Sequence, residues 1–505
     1  MADLESSPAS GSPPTESPRD PEKDVASQPA ADTGSSTGPK DRHLVDFDGD
    51  DDEANPLNWS KARKWTLVSL IATLTLVAFL ATSMCAPAAP QILTHLRTPD
   101  GIYLTLLISI WELGEGCGPL LIAPLSELYG RLPVYHTANI LFIVFSVLCA
   151  VSSNIHMLVA FRFFNGMAVA AVTLNPSVVG DLFVQEERGS VLAVMMGPSL
   201  LGAISAPVIG AFVDQAKGWR WVFWLAAIAG AAIELGFLLF FRESYKVVIL
   251  KRKAKRLRKQ SGDPEYRSSY DHSEHSKAKL FRLAIVRPLQ TLVHSPIVLF
   301  LSSYVAVVYG YAYLVMSTIT EVFEANYNVT EGTVGLMFLG RGVGMALGLI
   351  LCRFVLDRHI KKQKATEKGM QPEHRLPPMI IGGFVVPIGL FLYGWSAQFQ
   401  LQWMVPLVGT ALLGFGLIVT TIPAFGYLVD TFAIHSASAV AASIMLRCLA
   451  GSMIPMAGPA LYARLGVGWG NSVLGFTSLL FVPVPIVLYK YGARIRESSG
   501  FEVSL

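Results

Sequence analysis

Two glutamates three residues apart, Glu112 and Glu115, lie inside an otherwise apolar run, Trp111 to Arg131, which reads WELGEGCGPLLIAPLSELYGR. Three-residue spacing puts both side chains on one helix face. Apolar surroundings disfavour a charged carboxylate, and the second charge is disfavoured again by the first. Such a pair can bind and release a proton as its surroundings alternate between wet and dry. It also forms a negative site for which a cationic compound could compete. The plainer expectation is that the pair satisfies a buried Arg or Tyr across a bundle. The run ends in a charged turn, Glu127-Leu128-Tyr129-Gly130-Arg131. Along a helix, Glu115 is roughly 18 Å from Glu127, so it falls near the bilayer middle if Glu127 marks one membrane face. An ionisable group at that depth marks a functional site by default.

The rest of the chain supplies the housing. Of its 505 residues, 52% are hydrophobic and 15% charged, against about 25% charged in a typical soluble chain. About twelve apolar segments of spanning length lie near 65–86, 102–126, 132–153, 156–180, 189–212, 220–241, 296–322, 331–356, 378–396, 402–428, 437–462 and 470–490. Lys and Arg cluster in alternate loops, most densely in 243–295, which places both termini and that loop in the cytoplasm. The expected organisation is all-α: a disordered cytoplasmic tail over 1–60, a six-helix bundle over 61–242, and a basic central loop over 243–295. A second six-helix bundle over 296–495 and a short tail over 496–505 complete it. The acidic run Asp48 to Glu53 reads as a solvated tail, and the basic central stretch as an amphipathic helix along the anionic inner leaflet. A calmodulin-type partner is the weaker reading of the same bases.

Other chemistry is excluded by what the sequence lacks. The five cysteines all fall in apolar segments, with no spacing that suggests zinc or a disulfide framework. No Walker-type phosphate loop, metal cluster or nucleophile motif occurs, so neither an enzyme nor an ATP-driven pump is expected, and no cofactor or resident metal is implied. A sequence pI near 8.5 gives no case for nucleic acid.

Several more ionisable residues fall inside spans. Arg162, Arg341 and Arg447 lie in spans four, eight and eleven, where an unpaired cation is expensive. Arg341 and Arg447 could face a substrate cavity or bond carbonyls and helix ends. Glu234, in span six, has no evident partner. Trp111, Tyr309 and Tyr313 could line an aromatic cavity, with the two tyrosines four apart on one face; packing is the commoner role for such rings. A weak internal repeat sets Glu127 and Arg131 after span two against Asp357 and Lys361 after span eight. It also sets Asp181, ending span four, against Asp430, ending span ten. Asp181 is the candidate partner for Arg131 in a conformational latch, with Gly130 making the turn; the alternative is a static surface pair. A glycosylation sequon stands at Asn328.

The residues also carry a resemblance. Ala123 to Arg131 resembles the signature loop between the second and third helices of the major facilitator superfamily, with Ala123 where many members have Gly. Arg162 to Gly166 resembles its helix-four motif. Met84-Cys85-Ala86-Pro87-Ala88-Ala89-Pro90 and the GAISAPVIG run of Gly202, Pro207 and Gly210 resemble the helix-one and helix-five motifs of its fungal twelve-span drug–proton antiporters. Ala206 and Ala211 depart from that helix-five pattern. Trp219 to Trp224 and Arg242 to Lys246 also look like fungal members. The resemblance implies two pseudo-symmetric bundles rocking about a central site, and a part for Arg162 in proton coupling. It implies a monomer that exports small, largely apolar organic compounds, such as drugs or toxic secondary metabolites, in exchange for protons. The bilayer would be that of the plasma membrane or a vacuole. An uptake carrier for a sugar or polyamine, or a receptor or scaffold that has kept only the fold, are the alternatives.

Overall fold

The computed structural model describes residues 44–49, 51–98, 100–269, 277–327, 329–364, 371–432 and 436–498. The first span is α1 (Lys61–Ser83) continued by α2 (Cys85–His95) across a break at Met84. Ser60 starts it, its Oγ accepting the Arg63 N–H, as an N-cap residue does for an otherwise orphaned donor. Spans two and three are α3 (Ile102–Tyr129) and α4 (Arg131–Ala150). Span four is α5 (Ile155–Val169) and α6 (Asn175–Leu182), joined by a 3-10 turn. Spans five and six are α7 (Gln185–Lys217) and α8 (Arg220–Phe240).

Two helices of the central loop follow, α9 (Lys246–Ser261) and α10 (Lys277–His294). Spans seven to ten are α11 (Pro296–Tyr327), α12 (Glu331–Met337) with α13 (Leu339–Lys364), α14 (Pro377–Gln398) and α15 (Met404–Phe432). The chain ends in α16 (Ser436–Met453), α17 (Gly458–Leu479) and α18 (Pro483–Ser498). Among the described residues, eleven stretches are long and apolar enough to cross a membrane, the last being Ser436–Ile495 with 60 residues. A straight helix of that length would run about 90 Å, three times the hydrocarbon thickness. It turns at Gly466, whose φ of 74° and ψ of 170° suit glycine alone. The stretch therefore accommodates two crossings, and the segments agree with the twelve expected from hydropathy.

Among the described residues, buried apolar side chains gather into one large cluster over residues 297–488, joined from earlier in the chain by Ala86, Ile108 and Ala211. Two further clusters are built from residues 59–241 and 85–223. The helices approach closely where glycine leaves room: a Cβ on Gly202 would lie 2.9 Å from the Leu76 carbonyl oxygen and the Phe79 Cβ.

The expected free tail over 1–60 needs correction at its end. Residues 44–49 and 51–60 are ordered, and β1 (Leu44–Val45) pairs in parallel with β2 (Arg267–Ser268) of the central loop. Asp48 and Asp52 are not solvated charges alone: Lys253 Nζ lies 2.8 Å from Asp48 Oδ1 and 3.6 Å from Asp52 Oδ2. The reason is complementarity between a basic helix and an acidic segment far away in sequence. The apolar stripe of α9 is likewise buried within the protein, at Val248, Leu250 and Ala254, rather than laid into lipid.

Candidate functional site

The glutamates of α3 meet helices from the other half of the chain. Glu112 is fully buried, and Tyr309 of α11 donates its hydroxyl to Glu112 Oε2 at 3.0 Å. Tyr309 also lies 3.3 Å, hydroxyl to hydroxyl, from Tyr313, with the two rings stacked at 4.7 Å between centroids. The Arg447 guanidinium of α16 covers the Tyr309 ring at 4.5 Å, and its Nη2 is 3.8 Å from Glu115 Oε1. Arg341 of α13 is buried nearby, with Tyr313, Tyr309 and Glu112 as its charged and polar neighbours. Glu112 Oε1 and Arg447 Nε are buried without a hydrogen-bond partner among the described residues. Both glutamates stand roughly 15 to 25 Å from either end of α3 along its axis.

This polar cluster depends on close helix approach. A Cβ on Gly116 would lie 2.8 Å from the Cys448 Cβ, and one on Gly451 would lie 3.0 Å from the Tyr309 ring. Glycine at both positions lets α3, α11 and α16 come near enough for carboxylate, phenol and guanidinium to touch. The contacts match the plainer of the two sequence expectations, that the acids meet an Arg or Tyr across a bundle.

Arg162 is placed elsewhere, with the Trp111 ring against it. Trp111 is fully buried, and Arg162 covers its ring at 4.7 Å. Arg162 donates to three carbonyl oxygens, Leu107 at 3.1 Å, Ala81 at 3.0 Å and Thr82 at 3.2 Å. The last two precede the break at Met84, where carbonyls lose their helical partners. The structure thus makes Arg162 a clamp on the break in span one and makes Trp111 its packing partner. The bonds of Arg162 go to carbonyls rather than to the acids, whereas Trp111, four residues before Glu115 on the same face of α3, is also a polar neighbour of that carboxylate.

A second cluster lies where spans two, three and four end or begin on one side of the first half. Arg131 Nε is 3.4 Å from Asp181 Oδ2, and its Nη1 donates to Ser126 Oγ at 2.6 Å. Gly130 has a φ of 102° and leaves space that Glu243 fills. Glu243 Oε1 accepts the Arg131 N–H at 2.9 Å and the Tyr245 N–H at 3.0 Å, so it caps α4 as an acid at a helix N-terminus should. Ser126, Glu243 and Tyr245 are the site residues that sequence reasoning did not assign; the only signal was the RESYK run over 242–246. Glu127 is exposed, with Arg131 and Arg287 as its charged neighbours.

The second half carries a counterpart. Arg375, in the turn before α14, makes a two-pronged pair with Asp430, Nε to Oδ2 and Nη2 to Oδ1, the latter at 3.1 Å. A planar guanidinium suits a carboxylate in this way. The side chain of Asp357 lies outside the described residues, as does Asn328 of the sequon.

The helix-five glycines are packing positions. Gly210 faces the Met84 backbone, and Ala211 and the Pro207 carbonyl oxygen face Gly335 of α12. Glycine on α12 makes room where span five itself carries alanine. Glu234 proves to have partners: it accepts from Asn139 Nδ2 at 2.9 Å and meets His136 Nδ1.

These features agree with comparisons to known proteins. Residues 71–455 match the family model described as Major Facilitator Superfamily. The MFS-type transporter penM of Penicillium rubens is 44% identical over 475 residues, covering 94% of this chain and 93% of that protein. Efflux pump radE of Floropilus chiversii is 42% identical over 469 residues, covering 92% and 87%. Among solved structures, a crystal structure of a D-xylose-proton symporter aligns with a TM-score of 0.64 at 16% identity, covering 83% of this chain and 97% of that one. At that identity the likeness is one of fold.

Proposed function

Because the chain belongs to the major facilitator superfamily, we propose that it exports small, largely apolar organic compounds in exchange for protons, by rocking two six-helix bundles about the site between them. The observation that carries this reading is the polar bridge of Glu112 and Glu115 on α3 to Tyr309 on α11 and Arg447 on α16. It joins the halves at mid-depth, so rocking must remake it. The relatives that include an efflux pump favour outward movement, and a proton gradient needs no cofactor from the protein.

The residues suggest how exchange would work. With both acids charged, Arg447 holds Glu115 and the Tyr309 hydroxyl holds Glu112. A proton on Glu115 removes its attraction for Arg447, which stays over the Tyr309 ring by cation–π attraction. The bridge then loosens and the halves can part. A cationic or polar group on the substrate, drawn to the same carboxylates, leaves as the proton arrives. At the cytoplasmic side, the Arg131–Asp181 and Arg375–Asp430 pairs would close the inner face in one state and separate in the other. The two bundles would act as rigid bodies within a monomer in the plasma or a vacuolar membrane.

The test uses cells overexpressing the chain, with efflux of varied toxic compounds followed at constant ATP. A protonophore should abolish export. Export that continues with the gradient collapsed refutes antiport, and higher intracellular accumulation on overexpression points to uptake instead.

A further inference from the structure

Helix α9 has two unlike faces. Leu250 and Ala254 are fully buried, and α9 packs chiefly against β1 and β2 rather than a span. The segment ahead of span one is fastened there at several points. Lys253 Nζ donates to the Asp46 carbonyl oxygen at 3.0 Å and pairs with Asp48 and Asp52. The Ser269 N–H and hydroxyl both donate to the Val45 carbonyl oxygen, at 3.2 and 2.9 Å. Arg258 Nε donates to the Tyr266 carbonyl oxygen at 2.7 Å, closing the return from α9 to β2.

On the other face Arg252, Lys255, Arg256 and Lys259 are exposed. At about 100° per residue they cover an arc of about 100° centred opposite Leu250. The apolar stripe is already covered by the protein, so this face offers charge and no anchor for insertion. Because α8 ends at Phe240 and α9 begins at Lys246, the helix starts at most about 20 Å from the end of span six. The positive-inside rule puts that end at the inner leaflet.

We infer that this basic face of α9 is a docking surface for the anionic headgroups of the inner leaflet, presented by the clasp between residues 44–52 and the central loop. A polybasic surface at this position attracts anionic lipid. Four bases on one rigid face make a denser array than the same bases on a mobile loop. The clasp fixes which way that face points.

The experiment is hydrogen exchange of the full chain in nanodiscs of phosphatidylcholine alone or mixed with phosphatidylserine. The α9 amides should exchange at least roughly fivefold more slowly with phosphatidylserine, about the effect of one base gained at the surface. High salt should remove the difference. It should vanish in Arg252→Gln/Lys255→Gln/Arg256→Gln/Lys259→Gln and shrink in Lys253→Gln, with exchange in the spans unchanged as the check on folding. Equal exchange of the wild type in both lipids overturns the inference, as does a lipid effect that survives the fourfold substitution. A full effect in Lys253→Gln overturns the role of the clasp. Protection by added polyglutamate but not by phosphatidylserine overturns it in favour of an acidic protein. Exchange reads no transport, so failure of the export reading leaves these outcomes unchanged.

Discussion

Replacing Glu115 by Gln removes one charge from the bridge between the halves and keeps the side-chain volume. Arg447 Nη2 and Glu115 Oε1 are 3.8 Å apart. Their attraction is about 4 kcal/mol at an effective dielectric of 20 and about 1 kcal/mol if water fills the gap. The Arg447 and Glu115 side chains are 17% and 22% exposed, so we expect a coupling of about 1–3 kcal/mol, or roughly 5- to 150-fold. The assay is proton-driven transport in energised vesicles for Glu115→Gln, Arg447→Leu and the double variant. Each single change should cost at least about tenfold, and the double should be little worse than the more severe single, since removing either partner breaks the same pair. Substrate binding should stay measurable in Glu115→Gln. Glu112→Gln should be milder, because its amide oxygen can still accept the Tyr309 hydroxyl. If the losses multiply, Glu115 and Arg447 do not act as a pair. If Glu112→Gln/Glu115→Gln keeps gradient-driven efflux with an unchanged pH profile, the acid pair does not carry the proton, and Glu234 with His136 is next in line.

Three more outcomes are expected. Arg131→Ala and Asp181→Ala should each slow transport in protein that stays folded, and a double variant no worse than either alone would establish the pair, whereas strict additivity would dissolve it. Gly130→Ala forces a side chain into a backbone region almost exclusive to glycine, at about 1–3 kcal/mol, and pushes on Glu243. The melting temperature should fall by a few degrees, and an unchanged value would show that the turn relaxes freely. In the clasp, backbone N–H groups of Asp48 and Ala54 hold the Asp52 carboxyl below its usual range, with burial opposing and Lys253 assisting. A carboxyl lowered in the folded state contributes stability above its unfolded value, near 3.8, and loses it only as pH falls through the lower one. Protection of the β1 and β2 amides, with the intrinsic pH dependence of exchange divided out, should therefore be unchanged between pH 7 and 5 and should fall as pH drops below about 4; loss of protection between pH 7 and 5 would refute the assignment.

Much of this architecture was legible in residue order. Hydropathy located the crossings because each span must satisfy its own backbone bonds in lipid, and about 20 apolar residues are then a local signature. The depth of Glu112 and Glu115 followed from helical rise alone, and Arg131 with Asp181 followed from charge placed at the ends of neighbouring spans. The use of Arg162 as a carbonyl clamp, away from the acids, did not follow. Arg162 found carbonyls freed by the break at Met84, and no spacing rule announces where a helix will break and leave acceptors open. Partner choice between distant helices was likewise hidden: Tyr309 for Glu112, Arg375 for Asp430, Glu243 for the start of α4, and His136 for Glu234. Each joins residues tens to hundreds of positions apart, brought together only when glycines such as Gly116 and Gly451 let helices close on one another. The clasp between Asp48, Asp52 and Lys253 is of the same kind. Charge of opposite sign in two segments outside the spans is visible in the sequence, but only the folded chain brings the two segments within reach.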